Sequence, residues 1–148
     1  MKHRLAFVLT SFLAAFTAPV LAAEDAAEPS LVRAASEVDL SDFLWINRPL
    51  AVFADTDRDP RFIQQMALIE TLAHELAERD VVVLVDTDPD NPSALRTKLR
   101  PRGFMLVLIG KDGNPYLRKP FPWDVREISA SIDKMPMRQQ ELRDRNLN

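Results

Sequence analysis

Three short apolar runs and the amphipathic stretches between them set the pattern of the chain. Leu50-Ala51-Val52-Phe53-Ala54, Val81-Val82-Val83-Leu84-Val85 and Phe104–Ile109 show no polar alternation, as expected of strands covered on both faces. Between the first two, Phe62, Met66, Ile69, Ala73 and Leu76 recur at steps of three and four, which places them on one face of a helix over Pro60–Arg79. Asp59 suits its N-cap and Pro60 its first helical position. Strand, helix and strand then make a right-handed parallel βαβ unit. A shorter helix is expected over Pro92–Leu99, capped by Asn91. Lys111-Asp112-Gly113-Asn114 carries a hairpin signal, and Tyr116–Lys119 can return antiparallel. A last helix begins near Pro122, with a stripe of Val125, Ile128, Ile132 and Met135, and Pro136 marks its end.

The flanks read differently. Residues 23–39 mix Ala, Glu and Ser without a period, a flexible lead-in, and the folded domain is expected over residues 40–136, opening with a short helix from Ser41 to Trp45. Residues 137–148 form a charged tail, either a solvated helix extension or a disordered end. At the start, Lys2, His3 and Arg4 precede an apolar run from Leu5 to Phe16 and then Val20-Leu21-Ala22, the pattern of a signal peptide over residues 1–22. The run falls short of the roughly 20 apolar residues a spanning helix needs. A periplasmic or secreted protein with no membrane span after cleavage is the expectation.

Composition narrows the chemistry. The chain carries no cysteine, which excludes disulfides, thiol catalysis and thiolate metal sites. Once His3 leaves with the signal peptide, His74 is the sole histidine, so multi-histidine zinc sites are excluded too. His74 sits at helical spacing from Glu70 and Glu78 and reads as a solvent-facing ion-pair partner. The net charge of −3 becomes more negative on loss of Lys2 and Arg4, and nucleic-acid binding is not expected without a clustered basic face.

The order β-α-β-α-β-β-α resembles the thioredoxin core, so the fold class expected is α/β, a thioredoxin-like three-layer domain. By that comparison Arg58-Asp59-Pro60-Arg61 occupies the place of the redox Cys-x-x-Cys and Met105 that of the cis-proline. The resemblance therefore implies neither disulfide oxidoreductase nor peroxidase activity. Arg48-Pro49-Leu50, Phe53-Ala54-Asp55, Glu78-Arg79-Asp80-Val81, Leu108–Gly113 and Ile132–Gln139 together resemble one family. It is the peroxiredoxin-like domain of unknown function found in bacterial exported proteins and repeated in animal sushi-repeat extracellular proteins. That family implies a fold and an extracellular setting and offers no catalytic residue.

In a thioredoxin-like arrangement three loops meet at one sheet edge: Asp55–Pro60, Asp86–Pro92 and Lys98–Gly103. Asp55, Asp57, Asp86 and Asp88 are candidate ligands for Ca²⁺ or Mg²⁺, hard cations that take oxygen donors. This is the basis of an alternative function, a divalent-metal-dependent hydrolase. The simpler reading is that these aspartates form turns and helix starts and pair with nearby arginines. Arg58, Arg61, Arg100 and Arg102 are candidates for a small anionic ligand, and Trp123, beside Lys119, for a partner protein. The leading expectation is a non-catalytic binding or interaction domain with no cofactor and an unknown partner.

Overall fold

The computed structural model describes residues 30–147; the expected signal peptide, and the lead-in as far as residue 29, lie outside the described residues. Five strands form one sheet: β1 (Val32–Ala34), β2 (Arg48–Phe53), β3 (Val81–Asp86), β4 (Met105–Ile109) and β5 (Pro115–Lys119). Their order is β1-β3-β2-β4-β5. β1 and β2 each run parallel to β3, while β4 is antiparallel to both β2 and β5. Among the described residues five α-helices accompany the sheet: α1 (Pro60–Thr71), α2 (Ala73–Ala77), α3 (Ala94–Leu99), α4 (Val125–Asp133) and α5 (Pro136–Arg145).

The unbroken apolar runs are explained by two cores. Leu50 and Val52 face one core with Val83, Leu106 and Leu108, covered by Ile69, Leu76, Ile128 and Ile132 of α1, α2 and α4. Ala51 and Phe53 face the other with Leu84, Val107 and Ile109, covered by Leu95 and Leu99 of α3 and by Phe43. Successive residues of a strand point to opposite faces, so a strand buried on both sides has no polar position to spare. The result is the expected three-layer α/β architecture.

Several boundaries differ from the sequence expectation. Part of the expected lead-in is a strand: Val32–Ala34 pairs with Val83–Val85, so the ordered chain begins before Leu40. Three residues are too few to show a period, which hid β1. The helix expected over Pro60–Arg79 is broken at Leu72, which has left the helical region at φ −127° and ψ 33°; no proline or glycine marks the break. Ser93, not Asn91, caps α3, its hydroxyl accepting from the Arg96 amide. Asn91 instead donates to Asp88. The short helix expected at Ser41–Trp45 is a 3-10 turn over Leu40–Phe43. α4 begins at Val125 rather than near Pro122, capped by Asp124. The charged tail is a helix from Pro136, anchored by a buried Arg138.

A candidate binding edge

The strand directions bring the expected loops to one edge. β2 and β3 end there, and Phe53 at the end of β2 pairs with Met105 at the start of β4. β5 returns to the same edge, since Lys119 pairs with Leu106, and Phe121-Pro122-Trp123 leave from it. The loops that follow β2 and β3 and the one that precedes β4 therefore open at this edge, but their side chains have different tasks.

Asp86 turns inward. The residue is 7% exposed, and its carboxylate accepts from Ser93 Oγ at 2.6 Å, from the Ser93 amide at 3.2 Å and from Arg96 Nε at 2.8 Å. Burial pushes its pKa up, but these donors more than offset that and hold it below the ordinary carboxylate value. Arg96 also donates to the carbonyls of Ala54 and Asp86 at 2.7 and 2.9 Å, and its guanidinium lies 5.5 Å from the centre of the Phe53 ring. The pair thus staples the ends of β2 and β3 to α3. Sequence reading missed Arg96 because an arginine between Leu95 and Leu99 on a short helix reads as solvent-facing.

The Asp88 amide adds a donor to Asp86 at 3.2 Å, while its side chain has another task. Asp88 closes a turn, accepting from the amides of Asp90 and Asn91 and from Asn91 Nδ2, and the Asn91 side chain lowers its pKa. Asp57 is exposed, and among the described residues its side chain accepts only the 3.3 Å contact from Thr56 Oγ1. Among the described residues no group of three or more His, Cys, Asp or Glu side chains is placed to hold a metal ion. Of the four aspartates singled out for Ca²⁺ or Mg²⁺, Asp86 and Asp88 are engaged by Ser93, Arg96 and the turn donors, Asp55 lies beside Gly103 and Asp57 is exposed.

Asp59 caps α1 through the Arg61 amide at 2.8 Å and also accepts from Arg61 Nε and Nη2 at 3.2 and 2.9 Å. The Arg61 side chain lowers the Asp59 pKa, and Asp59 raises that of Arg61. The Arg61 guanidinium stands 5.7 Å from the centre of the buried Phe104 ring. A Cβ added to Gly103, where φ is +60°, would lie 3.8 Å from Arg61 Nη2 and 4.0 Å from Asp55 Oδ2, so the first and third loops converge at this glycine. The Arg58–Arg61 turn is thus closed on itself, with Arg61 already committed. Arg58, Arg100 and Arg102 are different: all three are exposed, and among the described residues their side chains make no ion pair. Arg100 ends α3 in the left-handed region at φ 49° and ψ 57°.

Trp123 is seated rather than free. Buried Gln65 of α1 accepts from the Trp123 amide at 2.7 Å and donates to its carbonyl at 3.1 Å, and Lys119 Nζ lies 4.5 Å from the centre of its ring. Phe121, 52% exposed, is the open aromatic of this segment. His74, expected in an ion pair, is exposed and makes none among the described residues.

With this geometry in place, residues 39–141 match the family described as Domain of unknown function (DUF4174). The chain belongs to that family. A zebrafish (Danio rerio) relative, Coiled-coil domain-containing protein 80, is 30% identical over 133 residues, which cover 70% of this chain and 15% of that protein. The chain thus spans a small part of the length of that relative. Among solved structures, a reduced 2-Cys peroxiredoxin of Plasmodium vivax is similar at a TM-score of 0.56 and 16% identity, covering 70% of this chain and 85% of that one. A chloroplastic thioredoxin z is similar at 0.50 and 24% identity, covering 67% and 88%. These likenesses show a thioredoxin-like fold. With no cysteine in the chain, the fold is present without the thiols that redox chemistry on it would need.

Proposed function

We propose that this is an exported, non-catalytic binding domain that captures an anionic group at the loop edge through Arg58, Arg100 and Arg102. The observation that carries the reading is the division among the arginines. Arg61 and Arg96 are held by Asp59 and Asp86, whereas the three exposed arginines have no carboxylate partner among the described residues. A guanidinium without a partner is suited to bidentate pairing with a carboxylate or phosphate. Export rests on the Lys2–Ala22 pattern and places the domain in the periplasm or outside the cell. No helix among the described residues is long and apolar enough to cross a membrane.

Isothermal titration with inorganic phosphate and with acetate tests the site. The reading expects binding heat that is lost when Arg100→Ala and Arg102→Ala are combined; absence of heat with the unaltered protein, or heat unchanged in the double variant, overturns it. Export has its own test: N-terminal sequencing of the exported protein should begin at Ala23, and an intact Met1 start would contradict it.

A further inference from the structure

The loop edge continues into a part of the fold that is almost free of acids. Between Asp90 and Asp112, and again between Asp112 and Asp124, the chain has no carboxylate, and these stretches supply α3, β4 and β5. Asp112 lies at the far end of the sheet, in the β4–β5 turn, where it accepts from the Asn114 amide and Nδ2, and Asp124 caps α4. Four cations of this part collect where β5 ends. Arg118 Nη1 donates to the Leu99 carbonyl at 2.7 Å, which sets Arg118 beside Arg100. Lys119 pairs with Leu106, which brings the end of β5 to the segment that runs from Arg102 into β4. Among the described residues none of these four makes an ion pair. The carboxylates of the β2 loop are turned to Arg61 instead: Asp59 is bonded to it, and Asp59 and Asp55 raise its pKa.

An exposed aromatic ring stands in the same place. Phe121 is 52% exposed and follows β5 between Pro120 and Pro122, which fix their own backbone and restrict the residue before each. Trp123 fastens the segment, its amide and carbonyl both bonded to buried Gln65. A stiff segment thus presents Phe121 to solvent. Free phosphate or a hydrated polysaccharide gives such a ring nothing apolar to enter. A bilayer interface takes both features, because basic side chains meet acidic headgroups and an aromatic ring settles at headgroup depth. Building on the anion-binding reading of this edge, we propose that its partner is an anionic lipid surface. Arg100, Arg102, Arg118 and Lys119 meet the headgroups, and Phe121 enters between them.

Cosedimentation of the exported protein with vesicles of phosphatidylcholine and phosphatidylglycerol in equal parts tests this, against vesicles of phosphatidylcholine alone. Binding should appear with the acidic vesicles only and weaken as salt is raised. The Arg100→Ala, Arg102→Ala variant should bind about twentyfold more weakly, at about fivefold for each basic residue near an anionic surface. Phe121→Ser should weaken vesicle binding by about tenfold or more, the loss of one buried ring, with the heat of inorganic phosphate binding unchanged and a thermal midpoint close to that of the unaltered protein. Tyr116→Ser and Met137→Ser, exposed positions at the opposite end of the sheet, should bind vesicles like the unaltered protein. Phosphate heat without vesicle binding, equal binding to both kinds of vesicle, or full vesicle binding by Phe121→Ser overturns the proposal and leaves the anion-binding reading standing. So does an oligonucleotide that displaces the vesicles and depends on Phe121 for its own binding, which would assign the ring to base stacking. Absence of both vesicle binding and phosphate heat removes the anion-binding reading as well.

Discussion

Replacing Arg96 with methionine removes the staple between the loop edge and α3. Arg96 is 8% exposed and donates to the Asp86 carboxylate, the Asp86 carbonyl and the Ala54 carbonyl. Methionine keeps much of the apolar stem over Phe53 but takes a donor from the Ala54 carbonyl and the Asp86 carboxylate, while the Asp86 carbonyl keeps the Ala54 amide. Breaking a buried pair by removing one partner costs about 3–5 kcal/mol; Ser93 and the Asp88 amide still serve Asp86, which favours the low end, about 3 kcal/mol. Against a total stability of about 5–15 kcal/mol that is a large fraction. For a chain of this size it corresponds to a fall of roughly 10 °C in the thermal midpoint. Urea unfolding followed by circular dichroism at neutral pH measures it. Adding Asp86→Asn should restore part of the loss, because the orphaned charge is gone, giving a coupling of about 1 kcal/mol or more. The sign with pH is fixed as well. The native pKa of Asp86 lies below its unfolded value, so its contribution is present above the unfolded pKa and fades as pH falls through the native one. A loss below about 1 kcal/mol for Arg96→Met, or strict additivity with Asp86→Asn, would refute the argument.

Two further expectations concern the rest of the fold. Burial pushes the Glu141 pKa up, but hydrogen bonds from Arg48 and Lys111 win and bring it from 4.5 to about 2; its stabilisation is complete above pH 4.5 and lost between there and pH 2. Glu141→Gln should therefore cost about 2 kcal/mol at neutral pH, at the weak end for a pair still partly exposed, and the gap to the unaltered protein should close toward pH 2 in urea titrations; a constant gap would contradict it. Ser129 is buried in α4 and its hydroxyl has no hydrogen-bond partner among the described residues. Ser129→Ala should be neutral or stabilising by up to about 1 kcal/mol, and a clear fall in the thermal midpoint would show that the hydroxyl is satisfied.

How much of this was legible in the sequence depends on how each element is stabilised. β2, β3 and β4 announce themselves because both faces are buried, and the Lys111–Asn114 turn is marked by its composition. β1 and α5 do not. β1 is three residues long and rests on Val83–Val85, a partner about fifty residues away. α5 is held by Arg48, Lys111 and Glu141 through long-range ion pairs, and a helix docked by charge looks like a solvated tail. At the site, the sequence placed the loops on one edge. It did not separate Asp86 and Arg61, which are bonded within the fold, from Arg58, Arg100 and Arg102, which are open. That distinction rests on Ser93 and Arg96 meeting Asp86, and on Arg61 folding back onto Asp59, contacts that no spacing rule reports.

The central claim, an anion-binding edge on a scaffold without thiols, is tested most directly by mapping amide chemical shifts of the protein on titration with inorganic phosphate. The account predicts saturable changes concentrated at Arg58 and from Arg100 to Gly103, and none of comparable size around Tyr116 and Met137. Changes spread evenly over the surface, or no changes at the loop edge up to tens of millimolar phosphate, a range in which even a weak millimolar site would fill, would contradict it.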